Sequence, residues 1–327
     1  MDLEKIYKPV RKELEIFEKR LFEVSISQNK VVSEAVSKIL NASGKRLRPA
    51  LLLIAAKVCD YEGERAMNLA VAIELIHLAS LIHDDVIDSA GLRRGVPSIN
   101  SLFGNKIAVL AGDYLYSKAI NIMAEDGDRR VLQAVADATK NMADGEITQT
   151  LFENAVGVNE KKYLSIIAGK TASLMSCACY VGAMMEESGN GEANILGKYG
   201  FNLGMAFQIT DDLLDITGKK ERLGKSVGND IRERKLTLPF IRVMSIASEE
   251  EKKWIKDTFN TKRINKDALR KMMNMVKQYK GIEYSCIKVK EYCSACKKKL
   301  NLLKESESRD ALAMLADYVV ERGAYNG

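Results

Sequence analysis

The sequence predicts an all-helical protein, and three observations carry that reading. Apolar residues recur at three- and four-residue spacing along almost the whole chain. The 327 residues hold only 4 Pro and 22 Gly, too few turn formers for a many-stranded sandwich or barrel. Ala, Leu, Lys, Glu and 13 Met, residues at home in helices, supply much of the remainder. The spacing predicts helices over residues 3–24, 29–41, 50–59, 64–88, 105–125, 128–152, 160–187 and 192–216. More polar helices follow over 238–257, 264–278, 282–303 and 307–322. Ala66–Ile82 and Ile107–Ile122 are apolar nearly all round, as expected of helices enclosed by others. Charged helices near both termini belong outside. The stretches Gly44–Pro49, Gly91–Pro97 and Gly218–Pro239 interrupt the pattern and read as loops. No low-complexity linker divides the chain, so a single domain over 1–327 is expected.

Composition excludes several classes. No stretch of 18 uncharged apolar residues occurs and the first residues lack an apolar leader segment, so a cytoplasmic protein is expected. The net charge of +6 is spread along the chain, which argues against nucleic acid; the run Lys297-Lys298-Lys299 reads as a solvated helix face. Six cysteines in this length are no disulfide framework. Cys293-x-x-Cys296 has no second pair and no nearby His to complete a zinc site, so buried thiols are expected.

One motif occurs twice. His83-Asp84-Asp85-Val86-Ile87-Asp88 is answered 127 residues later by Thr210-Asp211-Asp212-Leu213-Leu214-Asp215. Each is Asp-Asp-x-x-Asp at the C-terminal end of an apolar helix, with its three carboxylates in one arc. Like charges at i and i+4 repel, and the helix dipole disfavours negative charge at that end. Two such clusters imply a cation. Oxygen donors without His or Cys point to Mg²⁺, with Mn²⁺ as the alternative. Magnesium held by few carboxylates completes its shell with water and phosphate oxygens, so phosphate-gripping cations should lie near. Lys45 and Arg48 in Gly44-Lys45-Arg46-Leu47-Arg48-Pro49, Arg93-Arg94, Lys170, Lys225 and Lys235 are the candidates. A Walker A loop is absent, which disfavours an ATPase. With only His77 and His83, a phosphohydrolase centre built on several imidazoles is also disfavoured. His77 stands seven residues before Asp84, on the same helix face.

Together these motifs resemble the trans-isoprenyl diphosphate synthases, the head-to-tail prenyltransferases. The resemblance runs from about Gly44 to Pro239 and includes Gly145-Glu146-x-x-Gln149, Lys170-Thr171, Phe207-Gln208 and the Lys225–Pro239 loop. It implies an all-α fold around a large central cavity, usually a homodimer, with the aspartate helices facing each other across the mouth. Three Mg²⁺ would bridge Asp84, Asp88 and Asp211 to an allylic diphosphate, with Asp85, Asp212 and Asp215 in support. Arg93, Lys170, Lys225 and Lys235 would hold that diphosphate. Lys45, Arg48, His77 and Arg94 would hold isopentenyl diphosphate, and Gln149, Thr171 and Gln208 would lie beside the reacting carbons. The product would be apolar enough to enter a membrane. One departure is visible: the family commonly has Gly-Lys before Thr-Leu-Pro, whereas here Arg234 precedes Lys235.

Product length should depend on what blocks the cavity below the metals. Ala79 and Ser80 lie five and four residues before Asp84, with Ile76 and Ile73 beneath; Met142, Ala138 and Val135 precede Gln149 by helical turns. None is aromatic. In the family a Phe or Tyr at this level restricts the product, so the small residues here imply a long-chain product, C30 or above. The alternatives are a medium-chain farnesyl or geranylgeranyl synthase, a class I terpene cyclase, or a non-catalytic partner subunit. The intact clusters argue against the last, and the second anion site at Lys45, Arg48 and Arg94 against a cyclase.

Overall fold

A computed structural model describes residues 2–41, 44–93, 95–152, 157–185, 190–218, 228–261 and 264–324. Its elements are α1 (Leu3–Ile6), a 3-10 turn (Lys8–Val10), α2 (Arg11–Ser25), α3 (Lys30–Asn41), α4 (Leu47–Val58) and α5 (Glu64–Ile87). A two-strand antiparallel ribbon follows, β1 (Leu92–Arg93) and β2 (Val96–Pro97), pairing Leu92 with Pro97 and Arg93 with Val96. Then come α6 (Ile99–Asp126), α7 (Arg129–Phe152), α8 (Glu160–Ile167), a π turn (Ala168–Ala172), α9 (Ser173–Ala183) and α10 (Asn190–Thr217). The polar C-terminal third holds α11 (Asn229–Arg232), α12 (Leu238–Ile246), α13 (Glu249–Phe259), α14 (Lys266–Gln278), α15 (Gly281–Leu300) and α16 (Glu307–Gly323).

Apart from the two-strand ribbon, the described elements are helices, as the sequence predicts. α5 is central and is buried on nearly every side from Ala66 to Ile76, because its sequence there is apolar almost all round. It packs on α6 and α4; α4 packs on α9, α9 on α10, and α10 on α15 and α16. A connected set of buried apolar side chains runs from Ile6 to Val319. α5 and the stretch Glu160–Ala183 have the length and apolar composition to cross a membrane, but most of each apolar window, 72% and 56%, is buried inside the bundle. All six cysteines are free thiols, and Cys293 and Cys296 are buried.

Three differences from the sequence reading have physical causes. Gly104 adopts φ 79°, interrupting α6 near its start, and the apolar periodicity is legible only beyond that break. The expected helix over 238–257 is two, α12 and α13, because Ser248 starts a new helix with a capping box to Glu251. α6 is not enclosed as expected: Val109, Leu110 and Ile120 stand 39%, 58% and 55% exposed on its outer face.

The Gly44–Arg46 approach to α4 is anchored from beneath. Arg46 takes the left-handed conformation, φ 47°, and its buried guanidinium reaches Glu74 on α5 at 2.9 Å and Glu18 on α2 at 2.7 Å. Glu74 is itself 3% exposed. Glu74→Ala is expected to cost about 3 kcal/mol by leaving the buried guanidinium short of charge; urea unfolding measures it, and a loss below about 1 kcal/mol would contradict the anchor.

Candidate active site

A cavity of about 700 Å³ opens between α4, α5, α7, the π turn, α10 and α16. Lys45, Arg48, His77, Ser80, Asp84, Arg93, Lys170, Thr171, Gln208 and Asp211 line it, together with Phe207 and Arg322. A smaller cavity of about 200 Å³ shares Lys170, Thr171 and Gln208 with it and adds Gln149, Tyr163, Asp212, Asp230 and Lys235. Two sequence candidates, Arg94 and Lys225, lie outside the described residues.

α5 delivers the first acidic ledge at its end, where Asp88 is the C-cap. Asp84 lines the cavity. Burial pushes its carboxyl up to about 6, against the pull of the Lys170 ammonium at 3.8 Å. Asp88 meets Lys235 at 3.1 Å. Burial pulls the Lys235 ammonium down, but Asp88 and Glu233 outweigh it and leave it above the usual lysine value. Asp85 is different. It is 4% exposed, and both its oxygens accept from the Arg93 fork at 2.6 and 2.7 Å. It therefore orients Arg93 at the cavity wall and does not share the open face with Asp84.

α10 supplies the opposite ledge. Asp211 lines the main cavity and pairs with Arg322 on α16 at 2.6 Å. Burial raises its pKa while Arg322, Lys45 and Arg48 draw it down, which places those cations within electrostatic reach. Asp212 faces the smaller cavity; burial raises it to about 7, against hydrogen bonds from Tyr163 Oη at 2.6 Å and Gln208 Nε2 at 2.9 Å. Thr171 Oγ1 donates to Gln208 Oε1 at 2.8 Å, completing a chain from the π turn to the second ledge. Asp215 accepts from the backbone N–H groups of Asn229 and Asp230 at 3.2 and 3.1 Å, so it fixes the start of α11 beside the lysine-bearing loop.

The π turn sits at a close helix crossing. Gly145 on α7 and Gly169 approach so closely that a Cβ on Gly169 would lie 2.5 Å from the Asn141 carbonyl oxygen, and one on Gly145 would lie 2.7 Å from the Lys170 nitrogen. This crossing brings Lys170 against Glu146. On the other side, Arg48 Nη1 donates to His77 Nε2 at 3.0 Å. The Lys45 carbonyl accepts from Tyr7 Oη at 2.8 Å and its ammonium donates to Tyr318 Oη at 3.1 Å.

The proposed chain-length residues separate. Ser80 lines the main cavity, whereas Ala79 is fully buried in packing. Met142 and Met175 line the apolar side; Ala138 lines a groove of about 470 Å³ between α7 and α9, and Val135 is buried. Arg234 takes φ 60° and its guanidinium turns to the Thr261 carbonyl. A left-handed backbone here is what the glycine common in the family would adopt without strain.

The polyprenyl synthetase family pattern matches residues 29–276. The chain belongs to that family. This synthase is therefore a prenyltransferase of isoprenoid biosynthesis. It is 35% identical over 318 residues to a short chain isoprenyl diphosphate synthase from Methanothermobacter thermautotrophicus, covering 96% of this chain and 97% of the other. It is 32% identical to an octaprenyl diphosphate synthase from Escherichia coli, covering 98% and 99%. A crystal structure of a decaprenyl diphosphate synthase from Rhodobacter capsulatus superposes with TM-score 0.93 at 34% identity, covering 99% and 100%.

Sequence reasoning missed Arg322, Tyr163 and Asp230. Nothing local marks them; they matter only because α16, α8 and α11 fold against the acidic helices. Gly169→Ala is expected to destabilise the protein by about 2 kcal/mol, by forcing the helix crossing apart. It should also lower turnover by displacing Lys170; a thermal melt and a turnover assay matching the parent would contradict the crossing's role.

Proposed function

We propose that this synthase is a cytoplasmic homodimer that adds isopentenyl diphosphate to an allylic diphosphate in Mg²⁺-dependent steps, making a trans-polyprenyl diphosphate of C30 or above. The observation that carries this is one cavity with aspartates from α5 and α10 on its walls and two separate sets of cations.

The residues fit divalent metal. The donors are carboxylates, two of them raised to about 6 and 7 by burial, an environment that a bound cation relieves. Magnesium held by few carboxylates would complete its shell with water and diphosphate oxygens. Asp84, Asp88 and Asp211 would hold the ions, with Asp212 and Asp215 behind them. Bound Mg²⁺ supplies positive charge as the diphosphate leaves.

The chain's own groups do the rest. Lys170, Lys235 and Arg93 bind the allylic diphosphate and stabilise its charge as the C–O bond breaks. The Thr171 and Gln208 oxygens face the allylic cation. Lys45, Arg48 and His77 hold the five-carbon diphosphate so that its double bond attacks that cation. The departed diphosphate accepts the proton lost in re-forming a double bond. Apolar walls keep water from the cation. The exposed Val109, Leu110 and Ile120 on α6 support pairing of two copies through that face.

Purified protein with Mg²⁺, isopentenyl diphosphate and farnesyl or geranylgeranyl diphosphate should yield products longer than the primer; absence of elongation would contradict the reading. Because Asp84 is raised from 3.8 to about 6 and Asp212 to about 7, protons compete with Mg²⁺ as pH falls through that window. The Mg²⁺ concentration for half-maximal rate should rise from pH 8 to pH 5.5, and a flat requirement would contradict metal binding by these groups. The same shifts make ionisation of these carboxyls destabilising in the metal-free protein, so their unfavourable contribution grows as pH rises through the window.

Product length rests on the wall below Asp84. Ser80→Phe should shorten the products toward farnesyl and geranylgeranyl lengths, as seen by chromatography of the dephosphorylated alcohols. An unchanged product ladder would remove Ser80 from that wall.

A further inference from the structure

Glu146 has no part in the condensation as derived, yet it is 9% exposed and lies against a lysine of the site. Lys170 Nζ sits between two carboxylates, in close contact with Glu146 and 3.8 Å from Asp84. The backbone fixes this placement: Gly145 and Gly169 let α7 and the π turn touch, and Glu146 and Lys170 are their next residues. The contact with Asp84 is the longer of the two.

We infer that Glu146 is a positioning residue that holds the Lys170 ammonium off Asp84 and in line with the allylic diphosphate; this rests on the function proposed above. Without the Glu146 charge, Lys170 would close onto Asp84. That single movement would take a cation from the diphosphate and an oxygen from the first acidic ledge. The role has a sign that distinguishes it from a general field effect. Removing a negative charge beside an anion site should strengthen anion binding if only the field mattered. Loss of positioning should weaken it.

The test is a double-mutant cycle of Glu146→Gln and Lys170→Met, with Glu146→Asp as the conservative control. Inorganic pyrophosphate binding is followed by calorimetry in the presence of Mg²⁺. Alongside it, kcat and the KM values for both diphosphates are measured. Glu146→Gln should weaken pyrophosphate binding and lower kcat by roughly tenfold, with the KM for isopentenyl diphosphate within about twofold of the parent. Glu146→Asp should recover part of the loss, and Glu146→Gln should add nothing once Lys170 is Met. Unchanged or tighter pyrophosphate binding in Glu146→Gln, or an equal loss with and without Lys170, would overturn the inference. A parent that binds pyrophosphate with the expected coupling but elongates nothing would count against the proposed condensation alone.

Discussion

The structure depends on partly to fully buried carboxylates that face a cavity. Asp84, Asp211 and Asp212 are all raised by burial, so none is at ease as an anion where it stands. Each is answered by a nearby group: Lys170 for Asp84, Arg322 for Asp211, Tyr163 and Gln208 for Asp212. In water such pairs contribute little. In this enclosure they leave carboxylates whose ionisation a divalent cation favours, and cations that a diphosphate can recruit.

Much of the surrounding fold serves to hold those pairs in place. The α7 crossing at Gly145 and Gly169 brings the π turn close enough for Lys170 to reach both Glu146 and Asp84. The Arg46 guanidinium, buried between Glu18 and Glu74, secures the entry into α4, with Lys45 just before the helix and Arg48 in its first turn. The outermost helices contribute directly. α16 brings Arg322 to Asp211 and Tyr318 to Lys45, while Tyr7, just after α1, bonds the Lys45 carbonyl. A region whose sequence speaks mainly of packing thus forms a wall of the site.

The sequence makes the helices and the acidic repeat legible because both are local patterns: apolar spacing, and three aspartates within five residues. The same spacing cannot tell which way each aspartate turns. Asp84 and Asp85 are neighbours in sequence, yet one lines the cavity and the other is locked to Arg93. Nor can periodicity separate an enclosed helix from one whose apolar face is open, and α6 reads as enclosed while Leu110 stands 58% exposed. Ala79 and Ser80 are likewise both small, but only Ser80 reaches the cavity because adjacent helical positions point about 100° apart. Arg322 and Tyr163 carry no local signal, since their meaning comes from distant packing.

The central claim is that carboxylates from two helices bind metal jointly with one diphosphate. Calorimetric titration of Mg²⁺ into the protein, with and without inorganic pyrophosphate, tests it most directly. Tight uptake should require pyrophosphate and should be lost in both Asp84→Asn and Asp211→Asn, although the two residues belong to different helices. Tight Mg²⁺ binding without pyrophosphate, or binding that survives either substitution at full strength, would contradict the account.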